Sequence, residues 1–276
     1  MLYVPASKPR AMDKAAGLDV DAIILDLEDA VAPEAKAAAR DTAVAAIRDG
    51  YAGNKAVFVR INGAGTEWHA ADVAAFSAVR PDALQIPKVE TASEIAMVAA
   101  SCRLPLLAMI ETATGVFAAR DIAMAPGVFA LVAGLNDLAM DLGVPDPADR
   151  VAMLVAIQTI LLAARSARVL AYDGVWTGLD DQDGLAAECR DGRRLGFDGK
   201  TLIHPNQIVA CHAAWMPSFT DVAQAQELVA AAQGGAQNGA IRHNGKMVED
   251  MHIRAAERLI ARAGLRGVRE TGTHSS

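Results

Sequence analysis

The residues whose types and spacing suggest chemistry are acids that stand just behind short apolar runs. Glu111 directly follows the run 106–110, and Asp137 lies a few residues past the run 128–133. Each run has the length and bounding of a buried strand. Acids just beyond the ends of parallel strands collect at one rim of a barrel, where sites are normally built. Two carboxylates with little nitrogen or sulfur suit a hard divalent cation, most naturally Mg²⁺, which keeps waters for a substrate to displace. The competing reading makes both acids helix caps, Glu111 for a helix from about Thr112 and Asp137 for the one after it.

The elements that would position these acids form a regular series. Strand-like runs fall at 1–4, 22–25, 56–61, 83–86, 106–110, 128–133, 170–175 and 197–203, with helix-like, Ala-rich stretches at 33–48, 66–79, 91–102, 147–167 and 180–195. Eight strands joined by helical crossovers predict an α/β chain folded as a (β/α)₈ TIM barrel. An open doubly wound sheet is the alternative, but no G-x-G-x-x-G follows the first strand. Nearly every strand delivers a charged or polar group to the same end. Pro5, Ser7 and Lys8 follow the first, and Asp26, Glu28 and Asp29 the second. Arg60 and Asn62 come next, then Lys88 and Glu90, Glu111, Asp137, Asp173 and His204. Polar loops are common anyway, yet so regular a delivery argues for a site.

Beyond the eighth strand, 205–214 and 218–232 read as helices, and 233–239, rich in Gly, Asn and Gln, as a hinge. A polar segment at 241–250 and an amphipathic helix to about Ala263 follow. The expected division is a catalytic barrel over 1–232, a C-terminal lid and helix over 233–268, and a disordered tail over 269–276. The hinge and helix form either a lid or a surface brace.

Composition narrows the function classes. The chain has 276 residues, of which 53% are hydrophobic and only 4% aromatic, enough for one large helix-rich core. A net charge of −7 with no Lys/Arg block argues against nucleic acid. Cys102, Cys189 and Cys211 share no metal or disulfide spacing, which predicts reduced thiols and a cytoplasmic protein. The first residues lack a secretion signal, and no apolar run approaches the roughly 20 residues of a membrane helix.

The segments LYVPASKPR, AIILDLEDAV, VFVRIN, LQIPKVE, MIETATG, GLNDLAMDLG, AYDGVWT, GFDGKTLIHPNQI and NGKMVED span nearly the whole chain. In this order they resemble the citrate lyase β-subunit-like family of the HpcH/HpaI aldolase superfamily, which includes malyl-CoA, citramalyl-CoA and citryl-CoA lyases. The resemblance implies that Glu111 and Asp137 are Mg²⁺ ligands, with water and a 2-oxo acid completing the shell. It implies that Arg60 holds the acid's carboxylate, with Glu28 and Asp29 as the acidic rim that organises the base of the site. Tyr3, Lys8 and Lys14 match positions near the coenzyme A or substrate entrance. Lys8 stands where many relatives carry arginine, which keeps the charge and loses the planar fork. Segment 245–250 looks like the family's lid, which in relatives reaches a neighbouring subunit, so a homo-oligomer, trimer or hexamer, is expected. Relatives commonly carry Asp as the lid's acid/base where this chain has Glu249, followed by Asp250.

The activity implied is Mg²⁺-dependent cleavage or formation of a carbon–carbon bond in a short 3-hydroxyacyl-CoA, giving acetyl-CoA and a 2-oxo acid. Alternatives are a CoA-independent class II-type aldolase, coupled thioester hydrolysis, and a non-catalytic 2-oxo-acid or CoA binder. A Schiff base at Lys88 is disfavoured, since the metal already provides an electron sink. His204, before Pro205, reads as a turn and cap, and His243 and His252 as solvated. Trp68, Trp176 and Trp215 read as packing, with the pocket wall an alternative place for Trp176, and Asp173 reads as a carboxylate backing the site.

Overall fold

A computed structural model describes residues 1–146, 148–235 and 240–272. The chain divides into two compact units, Met1–Ala214 and Trp215–Ser276.

The first unit is a parallel barrel. Its strands are β1 (Leu2–Pro5), β2 (Ala22–Asp26), β3 (Ala56–Arg60), β4 (Ala83–Ile86), β5 (Leu106–Ile110), β6 (Val128–Ala133), β7 (Leu170–Asp173) and β8 (Gly199–Lys200), hydrogen-bonded in chain order. A parallel bridge between Leu2 and Leu202 joins the last strand's continuation to the first. The helices are α1 (Pro9–Ala16), α2 (Lys36–Arg48), α3 (His69–Val79), α4 (Ala92–Cys102), α5 (Ala113–Ala123), α6 (Leu135–Leu142), α7 (Leu154–Ala167), α8 (Gln182–Leu195) and α9 (Ile208–Trp215), the last crossing into the second unit.

Period-two alternation sorts the strand side chains. Ile24, Phe58, Leu107, Met109 and Val132 fill the barrel interior with Tyr3, and the next inward position on each strand reaches the rim. Capping fixes the helix starts there. Thr91 and Glu94 form a reciprocal capping box on α4, and Thr112 accepts from the Gly115 N–H on α5. Neither metal candidate is therefore a cap, because Thr112 has that role on α5 and Gly134 precedes α6, with Asp137 inside its first turn.

Expected and observed strands coincide at β4, β5 and β6. The expected strand at 197–203 shrinks to two paired residues, Gly199 and Lys200. The reason lies in β7, which ends at Asp173: the Gly174 N–H turns onto Asp173 Oδ1 at 3.0 Å, and Lys200 Nζ takes the Gly174 carbonyl at 2.5 Å. The three cysteines are free and buried.

The second unit holds α10 (Phe219–Gly235), β9 (Ala240–His243), β10 (Lys246–Glu249) and α11 (Asp250–Gly272). α10 packs on α11, so the helix expected at 218–232 belongs with the C-terminal elements. The polar segment, to which the sequence reading assigned no element, is an antiparallel hairpin turning at Asn244–Gly245, both at positive φ. α11 extends well past Ala263. Within the expected hinge and tail, 236–239 and 273–276 lie outside the described residues. Among the described residues no helix is long and apolar enough to cross a membrane.

Candidate active site

The rim of the barrel holds a cavity of about 310 Å³ lined by Tyr3, Asp26, Arg60, Glu111, Asn136 and Asp137, among others. The register explains the grouping. Asp26 on β2 and Arg60 on β3 are direct cross-strand partners and face the same way. Arg60 Nε and Nη2 each reach an Asp26 oxygen at 2.7 Å, a two-toothed pair buried on both sides. Its Nη1 contacts Glu28 at 3.0 Å and Asp29 at 3.2 Å, and the guanidinium lies 4.8 Å over the Tyr3 ring. Burial works to lower the Arg60 pKa and is outweighed by Asp26, so it stands well above its ordinary value. The fork expected to grip a substrate carboxylate is thus turned on Asp26. One remaining Nη2 N–H and the net charge are what Arg60 offers a ligand.

Lys88 connects the acids. Its backbone N–H donates to Glu111 Oε1 at 2.6 Å, and its ammonium contacts Glu28 at 2.6 Å, Asp137 at 3.4 Å and Asp29 at 3.7 Å. The residue sits in left-handed backbone, φ 53°, where a non-glycine residue stores strain. Burial works to lower its pKa, but Glu28 and the other acids prevail and raise it. A protonated amine is the opposite of what a Schiff-base nucleophile requires.

Glu111 is 2% exposed. Burial first, then the nearby charges of Asp137 and Glu28, push its carboxyl up to about 8. Burial likewise raises Glu28, against Arg60. Burial would also raise Asp29, but the hydrogen bond with Glu28 and the charges of Arg60 and Lys88 bring it below its ordinary value. Glu28 is thus the member of the pair inclined to hold a proton. Glu111 owes its position to Gly134: a Cβ there would lie 2.5 Å from Glu111 Cβ and 2.6 Å from its Oε2.

These donors fit a divalent ion. Excess negative charge between Glu111 and Asp137 is what raises Glu111 after burial. No group of three or more metal-ligating side chains occurs among the described residues. A cation at this pair would therefore take its other ligands from water and substrate, as Mg²⁺ does. Leu135 and Asn136, in the first turn of α6 where amides lack intrahelical acceptors, line the same cavity.

The other sequence candidates are placed as follows. Tyr3, expected near an entrance, lies inside the barrel at 8% exposure. Lys8 is exposed at the start of α1, whereas Lys14 sits in its last turn, roughly 9 Å further along the helix. Glu249 ends β10 in the second unit, its N–H donating to His252 Nδ1 at 3.1 Å. Asp173 does not back the site: fully buried outside the barrel interior, it pairs with Arg150 at 3.1 Å and Lys200 at 3.3 Å. His204 caps a short turn, accepting from the Asn206 N–H. Trp176 hydrogen-bonds to the Gly178 carbonyl, and its neighbours Val175 and Thr177 line the cavity instead. Sequence reasoning placed Asp26 and Lys88 at the rim but gave Asp26 no role and Lys88 only a disfavoured Schiff base, although the inward period of β2 (22, 24, 26) marks the first. It also missed Lys36, which is buried and holds the Leu27 and Glu28 carbonyls at 2.9 and 3.0 Å.

The family model for HpcH/HpaI aldolase/citrate lyase matches residues 1–205. The chain belongs to this family. A (3S)-malyl-CoA thioesterase of Cereibacter sphaeroides is 43% identical over 266 residues, covering 95% of this chain and 93% of its own. CitE of Mycobacterium tuberculosis, solved with magnesium, acetoacetate and coenzyme A, superposes with a TM-score of 0.82 at 35% identity, covering 95% of this chain and 97% of that one. The citrate lyase β subunit of the same organism, solved with oxaloacetate and magnesium, gives 0.70 at 35%, covering 78% of this chain and 96% of that one. The family is enzymatic and acts on CoA esters, and members bind magnesium, CoA and oxo acids.

Proposed function

We propose that this protein cleaves, or forms, the carbon–carbon bond of a short 3-hydroxyacyl-CoA of the malyl-CoA type, yielding acetyl-CoA and a 2-oxo acid. The observation that carries the reading is the juxtaposition of Glu111 and Asp137 with Arg60 in one small cavity. Glu111 and Asp137 would hold Mg²⁺, which supplies a Lewis acid for the oxygen that gathers negative charge. Arg60 contributes fixed positive charge beside the acid's carboxylate, and the α6 amides add neutral donors. Glu28, ionised in its pair with Lys88 and given added proton affinity by burial, accepts the hydroxyl proton as the C2–C3 bond breaks. The electron pair of that bond passes to the thioester side, and Glu249 returns a proton to its α-carbon. Lys8 suits a phosphate of CoA by its charge, and Lys14 is a weaker candidate from its place at the far end of α1. The working form is a cytoplasmic homo-oligomer.

A second reading, hydrolysis of the thioester, is favoured by the similarity to the malyl-CoA thioesterases. Both reactions begin from the same bound hydroxy acid and differ in the bond broken. Mass spectrometry of a (3S)-malyl-CoA incubation with Mg²⁺ separates them. Acetyl-CoA with glyoxylate supports the lyase, and malate with free CoA supports the hydrolase. An unchanged substrate, with citramalyl- and citryl-CoA also untouched, leaves a CoA-independent aldolase or a binder and overturns both.

A further inference from the structure

One amide inside the barrel takes no part in the chemistry above. Gln85 is fully buried on β4, the cross-strand partner of Arg60. Its Nε2 donates to Tyr3 Oη at 2.5 Å and contacts Met109 Sδ at 3.2 Å, while its Oε1 has no hydrogen-bond partner among the described residues. A buried acceptor left without a partner is destabilising, and its retention calls for a reason. The neighbours decide which way the amide faces. Turned over, it would set Oε1 against the lone pairs of the thioether, whereas an N–H toward sulfur is attractive.

That orientation dictates what the tyrosine does. With Gln85 donating, Tyr3 Oη is the acceptor and retains one proton to give. Gln85 is the only hydrogen-bond partner of that hydroxyl among the described residues. Tyr3 lines the cavity, with the Arg60 guanidinium over its ring and Asp26 and Glu111 close enough to act on it electrostatically. Burial raises the Tyr3 pKa, so the hydroxyl stays protonated at every working pH. Arg60 has spent its two-toothed face on Asp26, so an anionic ligand entering the cavity is short of donors on this side.

We propose that the Tyr3 hydroxyl, aimed by Gln85, donates a hydrogen bond to the carboxylate of the bound oxo or hydroxy acid. Tyr3 is then a substrate-binding residue and Gln85 a positioning residue. The inference rests on reading the cavity as a 2-oxo-acid site, and it accounts for a buried amide set against a buried hydroxyl beneath Arg60.

The test is calorimetric titration of the full chain with glyoxylate or pyruvate in the presence of Mn²⁺, and with Mn²⁺ alone. Tyr3→Phe, which removes one oxygen and keeps the ring, weakens acid binding on the order of tenfold or more and leaves the affinity for Mn²⁺ alone unchanged. Gln85→Met keeps the volume and removes the donor. It weakens acid binding less, and adds nothing in the Tyr3→Phe background, a coupling that a purely structural role would not produce. Acid binding unaffected by Tyr3→Phe overturns the proposal, as does a Gln85→Met effect that adds in full to that of Tyr3→Phe. Wild-type protein that binds Mn²⁺ but no 2-oxo acid overturns the reading of the cavity, and this inference with it.

Discussion

At the scale of single residues, the site is governed by how its negative charge is shared. Glu111, raised to about 8 by burial, Asp137 and Glu28, has a folded pKa far above its ordinary value of 4.5. The sign follows directly. The fold favours the protonated form, so this group's contribution to stability is present below the ordinary value and is lost as pH climbs through about 8. A metal ion must displace that proton. Affinity for Mg²⁺ therefore rises about tenfold per pH unit below the raised pKa and flattens above it. Calorimetry at pH 7 in buffers of different ionisation heat should register close to one proton released per ion; a count near zero would contradict the assignment. Which acids gather was legible from their places behind the strands. That Arg60 spends its fork on Asp26 was not, because it depends on the pairing of β2 with β3, which spacing along the chain does not contain.

At the scale of elements, the start of α6 is the tightest joint. Gly134 links β6 to α6 with its N–H on the Ile110 carbonyl at 2.9 Å, and Glu111 is packed where a side chain on residue 134 would have to be. Gly134→Ala should cost about 1–3 kcal/mol in overpacking. By displacing Glu111 it should also weaken metal binding on the order of tenfold or more. Denaturant unfolding and Mn²⁺ titration report the two separately, and a variant that binds Mn²⁺ like wild type would show that Glu111 is not a ligand. The strands that matched expectation are those whose ends are fixed locally. Pro87 follows β4, Pro105 precedes β5, and Gly127 and Gly134 bracket β6. β8 did not match, because its length is set by β7 and by the burial of Lys200 against Asp173 and Glu188, contacts across the fold. The hairpin of β9 and β10 carried a signal that was passed over: Asn-Gly between alternating residues is the commonest two-residue hairpin turn.

At the scale of the whole molecule, the two units carry different parts of the proposed reaction: the cavity acids lie in the first and Glu249 in the second. The first unit also exposes apolar side chains in register. Phe117 on α5 and Met124 at its C-terminal cap lie seven residues apart, Val155 and Leu162 seven apart on α7, and these helices pack together. Such a strip suits a second copy of the chain. If the lid serves a neighbouring subunit, Glu249→Gln and Glu111→Gln chains, each inactive alone, should regain part of the activity when co-expressed and mixed within one oligomer. Recovery confined to separately active species, or none at all, would place the proton donor within its own chain or elsewhere. The burial of all three cysteines has a practical consequence. While the molecule stays folded, a disulfide dye added to a running reaction finds no protein sulfur to colour it, so its absorbance tracks only the CoA thiol freed by thioester hydrolysis, since cleavage to acetyl-CoA frees none. Once the barrel opens, the same dye meets the hidden sulfurs, and one cuvette then times both hydrolysis and collapse.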